Sequence, residues 1–295
     1  MSLKIGVVGI EDKWSSQVLA RQLEIETGFS LLVDMSRVVS DFGKGEVWFD
    51  GHNLAEFDGL VVKKISAQYS ADSNDRMEIL RYLEGRGVRV FSKPASMLGL
   101  IDRLSCTVTL QNGGIPMPET CITESPKVAM DFLAHYKRGV LKPLYTSKGR
   151  GMLLVEAGLT ELEDIEAYQE AGNRTLYLQR FVQSPGKDLG LVFLGGEYLG
   201  TYARVKANDT WSTTTLNGGA YQSHDPSQEL IDLAWSAQNL FDLDFTCVDL
   251  VETAEGPKIY EVSAFGGFRG LAEACDIDAA HAYARYIINQ FAVNP

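Results

Sequence analysis

The sequence predicts an α/β protein, with a first lobe built on a largely parallel sheet and further lobes of mixed α+β character. Three observations carry that prediction. Apolar β runs alternate with helical stretches through about residue 93, the pattern of βαβ units. Pro116 and Pro118 then interrupt the chain where no helix can continue. Near the end, two β-like runs that carry acids, FTCVDLVE and KIYEVS, close on a short loop within Phe245–Ser263. At 295 residues the chain is too long for one small core, so two or three lobes are expected.

Taken in order, Lys4–Ile10 reads as a buried strand and about Trp14–Thr27 as a helix whose inward stripe is Val18, Leu19 and Leu23. Ser30–Val39 reads as a second β run, and Val47–Gly51 with Gly59–Ile65 adds more strand. The polar stretch Gln68–Asn74 leads into a helix over Asp75–Glu84, and Val88–Phe91 is another short strand. The pair Gly6 and Gly9 falls short of a dinucleotide fingerprint, which argues against a dehydrogenase. A hinge is expected near Ser92–Pro94, then a helix over Asp102–Asn112 that Gly113-Gly114 stops. The division is therefore 1–93, then 94–295, with a small lobe at about 116–184 and a C-terminal lobe at about 185–295.

Beyond the crossing, a helix over Val128–Tyr136 precedes the strand Gly139–Lys142. The turn Thr146–Gly151 is polar, basic and glycine-rich, and Met152–Glu156 resumes as strand. Glycines let backbone N–H groups approach an anion, and Lys148 and Arg150 would add charge. No GK[ST]-to-helix pattern follows, so this is not a Walker loop; it reads as a phosphate-covering hairpin or as a solvated basic turn. A helix Thr160–Glu170 and strands Thr175–Val182, Leu189–Leu194 and Glu197–Val205 come next. Trp211–Tyr221 suits a loop beside a ligand, Ser227–Phe241 a helix, Ser263–Gly270 a flexible link and Asp278–Phe291 a last helix.

In the acidic hairpin, a loop symmetric about Glu255 sets Asp249 opposite Glu261, with Glu261 on the face of Ile259 and Ser263. Opposed like charges destabilise a strand pair unless something compensates. A hard cation such as Mg2+ would do so; acids facing water would need none.

Composition narrows the setting. With 45% hydrophobic and 22% charged residues, the chain has the composition of a soluble globular protein. No apolar run approaches membrane-spanning length and no signal-peptide pattern opens the chain, so a cytoplasmic protein with no membrane partner is expected. A net charge of −12 argues against a nucleic-acid partner held by bulk charge. Cys106, Cys121, Cys247 and Cys275 lie far apart, which suits reduced thiols, and the four histidines form no set.

The order DRLSCTVTLQNGGIPMPET, VLKP with its glycine-rich turn, LQRFV…GKD and VDLVE…YEVS resembles the ATP-grasp superfamily, and within it the RimK-like branch of glutamate and amino-acid ligases. The resemblance covers essentially the whole chain. It implies two α+β subdomains gripping ATP behind a parallel-sheet lobe, and a carboxylate–amine ligase working through an acyl phosphate. Lys142 would contact the phosphates, with Arg103 beside it, and Ser147, Lys148 and Gly149 would cover them. Gln179, Arg180, Phe181 and Val182 would line the adenine pocket, and Asp188 would accept the ribose hydroxyls. Asp249, Glu261 and Ser263 would hold Mg2+, or Mn2+ in its place. Arg204 and the loop Ser212–Gly219 would face phosphates and substrate, and Arg269 would add a catalytic positive charge. The implied partners are a small-molecule carboxylate and an amine, or a protein terminus, with a homo-oligomer expected.

The chain departs from the family pattern at Arg103, where lysine is usual, at Arg180 in place of glutamate and at Gly190 in place of arginine. Ser212-Thr213-Thr214 replaces a stretch carrying Arg and Asn, and Ser263 replaces Asn. These departures motivate another reading, a nucleotide-binding homologue without ligase activity, acting as partner or sensor; a third reading is an ATP-dependent kinase on the same fold.

Overall fold

Ile5–Val8 forms the first strand, β1, as four consecutive buried residues, the signature of a strand covered on both faces. The computed structural model describes residues 3–146, 149–207, 211–213 and 218–293. After β1 come α1 (Trp14–Thr27), β2 (Leu32–Val33), three short strands β3 (Val39–Asp41), β4 (Glu46–Phe49) and β5 (His52–Asn53), then β6 (Gly59–Val62), α2 (Ala71–Gly85) and β7 (Arg89–Phe91). β2, β1, β6 and β7 make one all-parallel sheet in that order. A Cβ on Gly9 would lie 2.7 Å from Ser16, so that glycine lets α1 pack against the end of β1. Its role is packing.

The run Ser30–Val39 is not one strand. Asp34 accepts the Ser36 N–H at 2.9 Å and starts a 3-10 turn, Met35–Arg37, that separates β2 from β3. The second helix also begins earlier than expected, at Ala71.

α3 (Pro94–Ile101) and α4 (Arg103–Asn112) follow. Asp102 caps α4 by accepting the Ser105 N–H at 2.7 Å, which fixes Arg103 as the first helical residue. Next come β8 (Thr120–Thr123), α5 (Pro126–Tyr136), β9 (Arg138–Leu141), β10 (Leu153–Glu156), α6 (Leu162–Glu170) and β11 (Leu176–Arg180). They form an antiparallel sheet ordered β10–β9–β11–β8, against which Leu133 of α5 and Ile165 of α6 bury.

β12 (Lys187–Leu194), β13 (Glu197–Val205), β14 (Ala220–Ser223), α7 (Gln228–Gln238), β15 (Phe245–Thr253), β16 (Gly256–Ser263), α8 (Phe268–Cys275) and α9 (Ala279–Val293) complete the described chain. The antiparallel sheet β14–β13–β12–β15–β16 shares its core with the parallel sheet: Val8 and Leu60 fall in one cluster with Val248 and Ile259. The stretch expected to be flexible after Ser263 instead turns into α8 at Phe268.

The β15–β16 hairpin departs from a simple symmetric loop. Thr253 pairs with Gly256, leaving the two-residue turn Ala254-Glu255, and Gly256 takes φ +100. A bulge at Tyr260 then shifts the register, so that Leu250 faces Ile259 while Asp249 faces Glu261. The acids are opposed as expected, but Ile259 points into the core with Val262, and Glu261 turns to the other face. Ile259 also donates its N–H to the Pro116 carbonyl at 2.8 Å. Ile259→Ala should therefore cost about 2–5 kcal/mol in chemical denaturation, the range for emptying a packed core position. A loss under about 1 kcal/mol would put Ile259 on the face of Glu261 and exclude the bulge.

Candidate active site

The cleft of about 290 Å³ draws its walls from the two antiparallel sheets, with Lys64 and Tyr69 reaching it from beyond the end of β6. β9 and β11 supply one wall. Lys142 follows β9, its backbone N–H bonded to the Tyr177 carbonyl at 3.0 Å. Its ammonium donates to Gln179 Oε1 at 2.6 Å and lies 5.0 Å from the Tyr260 ring centroid. Gln179 is held in turn, donating to Thr120 Oγ1 at 3.0 Å. Burial, and then the neighbouring Arg103 charge, push the Lys142 ammonium down to about 7. An anion brought to Lys142 would restore its charge.

Gly149, Arg180, Phe181 and Val182 line the same end of the cleft, together with Gln179. Ser147, Lys148 and Thr214 lie outside the described residues. Arg180 does not reach outward for a ligand. It pairs with Glu119 at 2.5 Å and grips both oxygens of Glu255, at the tip of the β15–β16 turn.

The opposite wall carries the acids. Asp188 and Arg204 face each other across β12 and β13, and Asp249 and Glu261 across β15 and β16. Arg204 bridges two of these acids, at 2.5 Å to Asp188 and 3.0 Å to Asp249. Arg103 binds Glu261 at 2.6 Å. Burial drives the Asp249 carboxyl upward, Arg204 opposes that and Glu261 reinforces it, so the pKa is raised. Burial would raise Glu261 as well, but Arg103 and Lys142 outweigh it and hold the group below its ordinary value.

The donor set fits a hard divalent cation. Asp249 and Glu261 offer oxygens only and Ser263 adds a hydroxyl on the same face. Among the described residues no group of three or more His, Cys, Asp or Glu is placed to hold a metal ion by itself. Two carboxylates and a hydroxyl leave coordination positions for phosphate oxygens and water, the manner in which Mg2+ is held. When bound, Mg2+ would neutralise phosphate charge; the protein's part is to hold the two acids opposed, each with an arginine beside it.

Arg269 does not join this set. Its side chain is 58% exposed, pairs with Glu273 at 3.3 Å within α8 and lies over the Trp14 ring. The helix that replaces the expected flexible link turns it away from the cleft. Gly190, where the resemblance calls for arginine, has its space filled from across the ladder: a Cβ there would lie 2.4 Å from Tyr202 Cζ.

Sequence reading missed Tyr202, Tyr260 and the pair Lys63-Lys64. The buried run GLVV ending in two lysines was the available signal for the last. Lys64 lines the cleft, whereas Lys63 is fully buried and donates to the carbonyls of Phe265 and Gly266 at 3.3 and 3.1 Å. Its ammonium sits 3.6 Å from the Phe268 ring centroid. Lys63 thus fixes the loop that follows Ser263.

A strand-anchored lysine on one antiparallel sheet, facing opposed acids on another, is the layout of an enzyme that grips a nucleoside triphosphate. The model of the RimK-like ATP-grasp domain matches residues 101–287, and the chain belongs to that family. It is an ATP-dependent ligase that joins a carboxylate to an amine, with ATP and Mg2+ as cofactors. It is similar to the tetrahydromethanopterin:α-L-glutamate ligase of Methanosarcina acetivorans, at 23% identity over 97% of this chain and 99% of the relative. It is also similar to a probable α-L-glutamate ligase of Haemophilus influenzae, at 26% over 72% and 71%. Among solved structures, the ATP-grasp ligase PsnB complexed with a phosphomimetic variant of its minimal precursor, Mg and ADP superposes with a TM-score of 0.77 at 18% identity, over 98% of this chain and 99% of that one. D-cycloserine synthetase DcsG gives 0.75 at 16%, over 97% and 99%. No helix among the described residues is long and apolar enough to cross a membrane.

Lys63 gives a pH test. Burial, with Lys64 adding to it, lowers its pKa from 10.5 to about 7. Between those values the unfolded chain holds a proton that the folded one has released, so stability should rise with pH across that window. Lys142 contributes in the same window. Lys63→Met should flatten part of the rise in Tm between pH 7 and 10, and the Lys63→Met/Lys142→Met pair more of it. An unchanged profile would mean that Lys63 keeps its proton throughout.

Proposed function

We propose that the chain transfers the γ-phosphoryl group of ATP to a substrate carboxylate and joins the acyl phosphate to the amino group of glutamate or another amino acid. The activated acid belongs to a small molecule or a peptide terminus. One observation carries this reading: Lys142, Arg204 and the opposed pair Asp249 and Glu261 line a single cleft. The two relatives, an α-L-glutamate ligase and a probable one, support glutamate as the added amino acid.

In this reading Lys142 and Arg103 take the phosphates, covered by the turn at Gly149 with Ser147 and Lys148. Gln179, Arg180, Phe181 and Val182 border the base, and Asp188 takes the ribose. Asp249, Glu261 and Ser263 hold Mg2+, for which Mn2+ can substitute. Arg204 exchanges its carboxylate partners for the transferring phosphoryl group. The chemistry calls for positioning and charge neutralisation more than for a protein nucleophile. Cys247 lines the cleft, but burial pushes its thiol up to about 12, which keeps it protonated. We further divide the chain into 1–93 and 94–295, place it in the cytoplasm and take it as a homo-oligomer.

Calorimetric titration of ATP tests the site: binding should depend on Mg2+, and Asp249→Ala/Glu261→Ala should abolish that dependence. Turnover separates a ligase from a nucleotide-binding partner, because ADP should appear only with an acid and an amine added. Arg204→Ala should slow that turnover by about 100-fold or more, the scale for losing a preorganised charge at a reacting centre. Arg269→Ala should leave it close to that of the unmodified protein, and a large loss there would return Arg269 to the cleft.

A further inference from the structure

We infer that the acid this enzyme activates carries a flat, uncharged ring next to its carboxylate, and that Tyr202, Tyr221 and Trp211 form the wall that selects it. The inference rests on the ligase reading above and concerns the same cleft. Tyr202 projects from β13 between two glycines. A Cβ on Gly190 would come within 2.4 Å of its ring, and one on Gly270 within 2.5 Å, so both positions must be bare for the ring to sit there. Tyr221 meets Tyr202 edge to face at 5.2 Å between centroids, and Trp211 also lines the cleft. Gly266 and Gly267 also line the cleft and bring no side chain to it. A cleft lined by rings and bare backbone suits a planar group.

The ring-lined part lies beside the reacting end. Tyr202 OH and Cys247 Sγ share a hydrogen bond at 3.3 Å, and Cys247 Sγ is 3.8 Å from Asp249 Oδ1. In the ligase reading, a carboxylate meeting a phosphoryl group held near Asp249 and Glu261 comes to the part of the cleft that Tyr202 lines. A second carboxylate there would find no open guanidinium. In the reading above Arg103, Arg204 and Lys142 are given to the phosphates, and Arg180 is held by Glu119 and Glu255; Lys64 also lines the cleft, and the dicarboxylate probes below test whether it takes a second carboxylate. A desolvated anion without a partner is costly, whereas a neutral ring gains from contact.

The amine need not be known to test this. With hydroxylamine as the amine, an acid oxygen attacks the γ-phosphorus and the bond to ADP breaks. The hydroxylamine nitrogen then attacks the acyl carbon, inorganic phosphate leaves, a proton is lost and a hydroxamate accumulates. The probes are 4-hydroxybenzoate and N-acetyl-L-tyrosine as ring acids, against glutarate and N-acetyl-L-glutamate as aliphatic dicarboxylates. Ring acids should give at least 10-fold higher kcat/KM for hydroxamate formation. Tyr202→Leu, which keeps bulk, and Trp211→Ala, at a partly exposed position, should each raise KM for the ring acid several-fold and leave KM for ATP unchanged. Binding of a non-hydrolysable ATP analogue with Mg2+ reports whether each variant is folded. Equal or better turnover of the dicarboxylates overturns the inference and leaves the ligase reading standing. No hydroxamate from any acid, with the analogue still bound, removes the ligase reading and the inference with it.

Discussion

The opposition of Asp249 and Glu261 is the constraint on which the rest of this structure depends. Two carboxylates facing each other across a ladder repel, and both are partly withdrawn from water. The fold answers with two guanidinium groups from different places: Arg204 on the neighbouring strand β13 and Arg103 at the start of a helix that follows the parallel sheet. Removing one partner of such a pair leaves the other charge uncompensated in a partly desolvated place, so neither arginine is ornamental. The same arrangement readies the site for its chemistry. A cation held by the two acids would take over the compensation, leaving both arginines available to phosphate.

Holding these groups in place requires the three sheets to be tied together. Lys63, at the end of the parallel sheet, spans to the loop behind Ser263 through two carbonyls and an aromatic face. Ile259 bonds to Pro116 at the crossing, and Arg180 joins Glu119 to the tip of the acidic hairpin. Arg180 stands where the resemblance calls for glutamate, and its guanidinium joins two sheets beside the nucleotide end of the cleft. The substitution exchanges one use of the position for another.

Much of the site was legible because its residues sit at fixed offsets in extended segments. Lys142, Asp188, Arg204, Asp249 and Glu261 lie on strands or just beyond a strand end, and alternation sets their faces. The pairing of Asp249 with Glu261 was expected for a reason that does not hold. The turn is one residue tighter than a loop centred on Glu255, and the bulge at Tyr260 restores the pairing while sending Ile259 to the core. A bulge is a long-range packing solution with no local sequence marker as clear as a turn's glycine. Arg269 was misplaced for a related reason. Glycines at 266, 267 and 270 read as a flexible link, yet Gly267 and Gly270 serve close packing against Val192 and Tyr202, and the helix starts at Phe268 with Gly270 inside it.

By itself, the sequence determined the alternation that makes the parallel sheet, the break at the prolines, the strand-borne lysine and acids, and through their order the family. These follow from periodicity and local chemistry, which neighbouring residues alone specify. Only the tertiary structure decided which counter-ion each acid keeps, that Lys63 is buried across an interface, and that Tyr202 fills the space beside Gly190. Those outcomes join residues about 12 to more than 200 positions apart, and no local pattern encodes which distant side chain reaches a given gap.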